Sequence, residues 1–227
     1  MPVIIAANTK GGSGKSTTSL VLSTTLASRG ATVRLIDADP QGTSAKFGRA
    51  GKSKYSDIVN ILSSDEDLTD MIDRLAAEFQ FVVVDVQGSA NLELAAAMSR
   101  ADLVIIPMNG KTADSEASPE AIALLRKQEK MFRRTIPFGI LFVNTKTPIV
   151  TREEREIREQ IESAGLPTFL TDLRERSGFS HINRFKLALD EQNEKDTSGL
   201  KSAIENAQTF TNEVIAKLRE SRKENAA

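Results

Sequence analysis

The sequence contains no cysteine and no tryptophan, and only one histidine and one tyrosine occur among its 227 residues. Without cysteine there are no disulfides, thiolate metal sites or iron–sulfur clusters, and a single histidine, His181, leaves no plausible zinc cluster. A charge excess is also lacking, because 30 basic residues face 31 acidic ones and give a net charge of −1. Any binding to nucleic acid must therefore come from a local basic patch and not from the overall field.

Long apolar runs are absent too, and none approaches the roughly 20 residues that a membrane-spanning helix needs. The chain opens on an apolar strand pattern, without the basic region and apolar core of a secretion signal. We therefore expect a soluble, cytoplasmic protein with no membrane contact. We also expect no helix-turn-helix module ahead of the first strand.

Short apolar runs alternate with helical patterns along most of the chain. Strands are predicted at 3–8, 32–37, 81–85, 103–108, 138–144 and 167–170. Helices are predicted at 15–29, near 56–62, and at 67–79, 92–99, 120–134, 151–164 and 198–224. This alternation is typical of an α/β fold, a mostly parallel twisted sheet flanked by helices. The length and the lack of a linker predict one domain over 1–227, with a frayed tail at 219–227.

The most informative stretch is 8–17, with the sequence N-T-K-G-G-S-G-K-S-T, between the first predicted strand and the first predicted helix. Strand, glycine-rich turn and helix form the setting of a phosphate-binding loop, although Thr9 stands where the usual pattern begins with glycine. Lys15 is placed to reach the β- and γ-phosphates, and Ser16 to offer its hydroxyl to Mg²⁺. The predicted nucleotide-binding residues of this loop are Lys10, Gly11, Gly12, Ser13, Gly14, Lys15, Ser16 and Thr17.

Two predicted strands end in carboxylates, Asp37 in the sequence D-A-D-P-Q-G and Asp85 after F-V-V-V. The carboxyl ends of parallel strands face the ligand crevice of an open sheet. Asp37 and Asp85 are therefore candidates to hold Mg²⁺ through water, and Asp39 is a candidate to orient an attacking water. Taken alone, D-A-D-P-Q-G favours an ordinary polar turn.

The loop K-G-G-S-G-K-S-T, with its early lysine, resembles the deviant Walker A loop of the ParA/MinD superfamily of ATPases, and D-A-D-P-Q-G resembles the switch I segment of its ParA members. The resemblance implies that Lys10 crosses a dimer interface to the phosphates bound by the partner subunit, and that Lys15 and Asp39 act in hydrolysis. Asn144 resembles the residue that contacts adenine, with an ordinary turn asparagine as the alternative.

The resemblance implies a P-loop NTPase fold and a small ParA-type partition ATPase that uses ATP and Mg²⁺. Its ATP-bound homodimer would bind non-specific DNA on the nucleoid. A ParB-like centromere-binding or adaptor protein would then stimulate the weak hydrolysis to ADP and phosphate, and release the DNA. The cargo stays open among a plasmid, a chromosome, a protein cluster and a conjugative transfer complex. A metabolic ATP-dependent ligase of the dethiobiotin-synthetase type is the alternative from another class.

Three segments are rich in basic residues. The pattern favours a solvated loop at 43–54, with a contact patch as the alternative, and a solvated surface at the end of the predicted helix 120–134, with a DNA contact as the alternative. The segment 174–189 carries four cations and fits flexible contacts to a phosphate backbone, which need no base-reading geometry. Its predicted DNA-binding residues are Arg174, Arg176, Arg184 and Lys186.

Overall fold

The structure is a computed structural model that describes residues 1–87, 92–110, 117–146 and 150–224. Within these ranges seven strands form one parallel sheet in the order β3-β2-β4-β1-β5-β6-β7. The strands are β1 (Val3–Ala6), β2 (Val33–Ala38), β3 (Val59–Ile61), β4 (Phe81–Val86), β5 (Leu103–Asn109), β6 (Phe138–Thr145) and β7 (Leu173–Arg174). The predicted α/β fold is confirmed.

Eight α-helices flank the sheet in the described ranges. They are α1 (Lys15–Ser28), α2 (Thr43–Arg49), α3 (Leu68–Glu78), α4 (Leu92–Arg100), α5 (Ala117–Phe132), α6 (Arg152–Ser163), α7 (Ser177–Phe185) and α8 (Leu200–Glu224). One core contains buried side chains from α1, α2, α7 and α8, which include Leu22, Phe47, Ile182 and Phe210 in that order. The helices α3 to α6 share the other core, on the opposite face of the sheet. None of the described helices is long and apolar enough to cross a bilayer.

The central strands are buried on both faces, which explains their nearly continuous apolar sequences. Ile4 and Val83 point into one core, whereas Ile5 and Val84 point into the other. Each fully buried aliphatic side chain of this kind contributes roughly 1.5–3 kcal/mol to the free energy of unfolding. The packing fixes the register of the strands, and that register sets Asp37 of β2 directly beside Asp85 of β4.

Two predicted elements are wrong. The residues near 56–62 form a short 3₁₀ turn and then the edge strand β3, because Val59 pairs with Leu35 of β2. In the segment 167–170 only Thr168 makes a bridge, to Ile140, and the last strand of the sheet comes later as β7. At the carboxyl terminus α8 ends at Glu224, where the predicted helix 198–224 ends. The predicted fraying of 219–227 stays a prediction, and residues 225–227 lie outside the described ranges.

Two helices were not predicted. The basic segment 43–54, interpreted as a solvated loop, contains α2, and the basic segment 174–189 contains α7. Both helices are short, and each buries only one or two large side chains, so their periodicity is weak in the sequence. Phe47 anchors α2, and Phe179 with Ile182 anchors α7.

Candidate nucleotide-binding site

The glycine-rich loop leaves β1 and enters α1 at the carboxyl edge of the sheet. Buried Asn8 fixes its start, because its side-chain amide donates to the Pro107 carbonyl at 2.7 Å and its side-chain oxygen accepts from the Lys10 amide at 3.1 Å. Gly12 and Gly14 have φ angles of 75° and 96°, in the left-handed region that favours glycine. A Cβ atom on Gly14 would lie 3.0 Å from the Val143 side chain. The loop therefore requires glycine at both positions.

Helix α1 presents its amino terminus to the loop without a side-chain cap. Gly14 is the N-cap residue, and the first turn contains no acidic residue. Lys15 stands at this end with only 5% of its surface exposed, and its ammonium donates to the Lys10 carbonyl at 3.1 Å. Burial lowers the pKa of Lys15, while Asp85 and Asp39 act to raise it. Uncapped amide groups and a buried lysine together are suited to bind an anion such as phosphate.

The carboxylate of Asp85 is fully buried behind this loop. Its Oδ2 accepts a hydrogen bond from the Ser44 hydroxyl at 2.8 Å, and its Oδ1 makes no hydrogen bond to a described residue. Burial raises the pKa of Asp85 to about 7; the hydroxyls of Ser44 and Ser16 lower it, and Asp37 and Asp39 raise it. A buried carboxylate oxygen with no hydrogen bond near a serine hydroxyl fits a hard cation such as Mg²⁺, which takes oxygen ligands.

Asp37 is buried beside Asp85, but both of its oxygens accept backbone hydrogen bonds. Oδ1 accepts from the Asp39 amide at 3.0 Å and Oδ2 from the Ala45 amide at 2.5 Å. Because the N-cap of α2 is Gly42, which has no side chain, Asp37 caps that helix in its place. Burial raises the pKa of Asp37 despite these bonds. The predicted contact with Mg²⁺ through water is compatible with this capping role.

Asp39 is the first residue of the polar turn that the sequence D-A-D-P-Q-G predicted. Its side chain accepts from the Gln41 amide at 2.9 Å, and its carbonyl accepts from the Gly42 amide at 2.8 Å. The turn leaves Asp39 half-buried and facing a cleft of about 310 Å³. The cleft is lined by Gly11, Gly12, Gly14, Lys15, Ser16, Thr17, Asp39, Gln41, Thr43, Gln87 and Asn144. The polar turn and the catalytic prediction are therefore compatible.

Two predicted loop residues are not among those that line the cleft. Ser13 is buried, and its hydroxyl makes no hydrogen bond to a described residue. Lys10 is half-buried, and its carbonyl accepts the hydrogen bond from the Lys15 ammonium. The predicted reach of Lys10 into a partner subunit stays a prediction.

Asn144 lines the same cleft and lies next to the last residue of β6. Its φ angle of 55° is in the left-handed region, and its side-chain amide donates to the Asn109 side chain at 2.7 Å. Asn109 in turn donates to the Gly12 carbonyl at 3.4 Å. Sequence analysis did not identify Asn109 as a site residue. The one feature that could have indicated it is its position at the carboxyl end of β5. The two amides connect the predicted adenine contact to the phosphate loop.

The four predicted DNA-binding residues do not lie together. Arg174 ends β7 and Arg176 precedes α7, whereas Arg184 lies in the last turn of α7 and Lys186 directly follows that helix. A helix of nine residues separates the two pairs by roughly 13 Å. Each pair has a neighbour at the cleft: Arg174 pairs with Thr145, which follows Asn144, and Asn183, beside Arg184, donates to the Thr17 hydroxyl at 3.4 Å.

Comparison with known proteins shows which family the chain resembles. The family model described as "CobQ/CobB/MinD/ParA nucleotide binding domain" matches residues 4–223. "Protein ParA" of Rhizobium radiobacter is 31% identical over 222 residues, which cover 97% of this chain and 99% of that protein. "Maintenance of carboxysome distribution protein A" of Halothiobacillus neapolitanus is 31% identical over 179 residues, 77% of this chain and 80% of that protein.

A solved structure agrees with the fold. The ATP complex of a McdA variant from Cyanothece superposes with a TM-score of 0.73 and covers 94% of this chain and 96% of its own. The sequence identity between the two is 15%. At that identity the likeness concerns the fold alone.

Proposed function

This chain belongs to the CobQ/CobB/MinD/ParA nucleotide-binding family, and from that membership we propose that it is a ParA-type ATPase that positions a DNA or protein cargo. The cleft carries the proposal: buried Lys15, the uncapped end of α1 and the acidic turn at Asp39 meet at the carboxyl edge of the sheet. A relative of nearly equal length at 31% identity supports the same assignment.

In this proposal the phosphates of ATP lie on the loop 10–17, where Lys15 donates to the β- and γ-phosphates. The Ser16 hydroxyl would hold Mg²⁺, and Asp85 and Asp37 would hold it through water. When bound, Mg²⁺ supplies positive charge that offsets the charge of the phosphate oxygens. Asn144, which lines the cleft, contacts the adenine. Asp39 accepts a hydrogen bond from the attacking water and orients it.

Two subunits are proposed to close on ATP so that Lys10 of each reaches the nucleotide of the other. The closed homodimer then binds non-specific DNA on the nucleoid, and a ParB-like or other adaptor protein stimulates hydrolysis and release. Lys10 is half-buried and is not among the residues that line the cleft of its own subunit, which is compatible with an action across an interface. The relative that matches over 99% of its own length is named a ParA protein, which favours this function over the ligase alternative.

Phosphate release in the presence of ATP and Mg²⁺ tests the enzymatic part. Wild type is expected to turn over slowly, and Lys15→Ala to lose the activity, while Lys127→Ala on the opposite face of the sheet keeps it. Equal turnover by wild type and Lys15→Ala would contradict the assignment of the cleft.

A further inference from the structure

Gln87 directly follows β4, and it lines the nucleotide cleft together with Asp39. The strands that lead to these two residues, β2 and β4, pair in parallel as far as Ala38 beside Val86. Both strands end at that pair, so Asp39 and Gln87 are the next residues along the two neighbouring strands. Adjacent strands lie about 4.8 Å apart. The register therefore brings a carboxylate and a carboxamide to neighbouring positions at the carboxyl edge of the sheet.

The depth of these side chains differs from that of the carboxylates inside the strands. Asp37 and Asp85 are buried, whereas Asp39 and Gln87 are half-buried and line the cleft. Lys15, which is proposed to hold the β- and γ-phosphates, lines the same cleft and is close enough to Asp39 for the carboxylate to raise its pKa. Asp39 and Gln87 are thus placed where water from the solvent can reach a γ-phosphate.

Asp39 alone fixes only part of the orientation of an attacking water. Its Oδ1 accepts the Gln41 amide at 2.9 Å, which leaves Oδ2 for a water. A water that is held by one hydrogen bond still rotates about that bond, and its lone pair is aligned with the γ-phosphorus for only part of the time. A second acceptor, for the other proton of the water, removes this freedom.

The carboxamide of Gln87 can be that second acceptor without adding charge. Its oxygen accepts a hydrogen bond and its NH₂ group donates two, so one side chain can hold the water and also contact a γ-phosphate oxygen. A carboxylate at this position would repel the phosphate, to which Asp37, Asp39 and Asp85 already present negative charge. Small GTPases likewise use a glutamine to orient their attacking water.

The other glutamine of the cleft, Gln41, is less suited to this task. Its side chain is exposed, and it lies in the turn two residues beyond Asp39 and not at a strand end. Its backbone serves the turn, because its amide donates to Asp39 and its carbonyl accepts the Lys46 ammonium at 2.9 Å. The position beside Asp39 therefore favours Gln87.

We propose that Gln87 is a catalytic residue of ATP hydrolysis, whose carboxamide holds the attacking water together with Asp39. This inference rests on the proposed function and adds a residue to its site. In the step, the water oxygen bonds to the γ-phosphorus, and the bond from that phosphorus to the β,γ-bridging oxygen breaks with its electron pair leaving on ADP. One proton of the water passes to Asp39 and then to solvent, and the other stays on the phosphate.

The experiment measures single-turnover hydrolysis and nucleotide affinity on the same variants in Mg²⁺. Gln87→Ala is expected to lower the hydrolysis rate roughly tenfold to a hundredfold, because the water is no longer held in line. Its affinity for a slowly hydrolysed ATP analogue is expected to match that of wild type, since the lost contact acts in the transition state. Gln87→Glu adds a charge and is expected to weaken that affinity as well. Gln160→Ala, at an exposed glutamine of α6, is the matched control and is expected to change neither quantity.

A second measurement distinguishes catalysis from a structural role. ADP with aluminium fluoride and Mg²⁺ imitates the γ-phosphoryl group and its water in the transition state, which a catalytic group binds more tightly than the ground state. Gln87→Ala is expected to lose affinity for this complex by about the factor it loses in rate, with ADP affinity and the thermal unfolding midpoint unchanged. An equal loss of affinity for ADP and for the aluminium fluoride complex would assign Gln87 to the shape of the cleft and overturn the inference.

The outcomes separate a failure of this inference from a failure of the proposed function. If wild type hydrolyses ATP and Gln87→Ala hydrolyses it at the same rate, Gln87 is not catalytic while the proposed function stands. If wild type binds ATP and does not hydrolyse it, the enzymatic part of the proposed function fails, and the inference fails with it.

Discussion

The hydroxyl of Ser44 donates a 2.8 Å hydrogen bond to the buried carboxylate of Asp85. The register partner of Asp85, Asp37, accepts the Ala45 amide from the same helical turn. The two carboxylates proposed to serve the metal thus also hold the helix that follows the acidic turn at Asp39. A change of charge at the end of these strands is therefore expected to act on α2.

Lys15→Ala is expected to weaken ATP binding tenfold or more. The ammonium lies at the uncapped end of α1, and a hydrogen bond to a charged group contributes roughly 1.5–3 kcal/mol. Calorimetric titration with ATP and Mg²⁺ measures the loss, and Lys127→Ala controls for the removal of a surface lysine. Tight binding by Lys15→Ala would contradict the phosphate-loop assignment.

Lys10→Ala is expected to separate nucleotide binding from dimer formation. Because the Lys10 side chain is proposed to act on the partner's nucleotide, the variant should bind ATP nearly as wild type does and yet remain a monomer. Light scattering in ATP and in ADP gives the mass directly. A variant that dimerises with ATP as fully as wild type would remove Lys10 from the interface.

Two substitutions of Asn144 distinguish a contact made by its side-chain amide from a requirement for its backbone conformation. Glycine accepts the φ angle of 55°, whereas alanine adds a strain of roughly 1–2 kcal/mol. If the amide contacts adenine, both variants should lose about threefold to tenfold in ATP affinity, the effect of one hydrogen bond. Asn109→Ala removes the acceptor of that amide and the donor to the Gly12 carbonyl but leaves the Asn144 amide in place, so it is expected to lose less. Wild-type affinity in Asn144→Gly would restore the interpretation of a turn asparagine.

The pKa of Asp85 predicts a pH-dependent stability in the absence of metal and nucleotide. In the folded protein this pKa is raised to about 7 from an ordinary value of 3.8, so the folded state holds the proton more tightly than the unfolded chain. The resulting stabilisation is fully present below about pH 3.8 and is lost as the pH rises through about 7. Asn at this position has no such proton to lose.

Wild type should therefore lose free energy of unfolding relative to Asp85→Asn as the pH rises from about 5 to about 8. Urea unfolding in EDTA at both values measures the difference, with Asp57→Asn as a control at an exposed carboxylate. A difference that does not vary with pH would show that Asp85 is not desolvated.

The central strands and the phosphate loop could be predicted from the sequence because each is specified by residues that are neighbours in the chain. Residues 81–86 are buried on both faces and read as a continuous apolar run, and the glycines of the loop stand where positive φ angles occur. The parallel register places Asp37 beside Asp85. Carboxylates at the ends of two strands that are far apart in the sequence could therefore be assigned to one site.

Other features depend on contacts that a single sequence does not reveal. Strand β3 exists because Val59 finds Leu35 at a sheet edge, whereas its own residues fit a helix equally well. Ser44 and Asn109 are ordinary polar residues until the fold brings them to Asp85 and Gly12.

The most direct test of the account is the binding of Asp39→Ala to non-specific duplex DNA in ATP and in ADP across a salt series. The variant is expected to hold ATP without hydrolysing it, and so to remain in the closed state. Binding in ATP but not in ADP, with a steep loss of affinity as salt rises, is the predicted result, since each phosphate contact releases counterions. Equal binding in the two nucleotides, or none in either, would contradict a nucleotide-switched positioning ATPase.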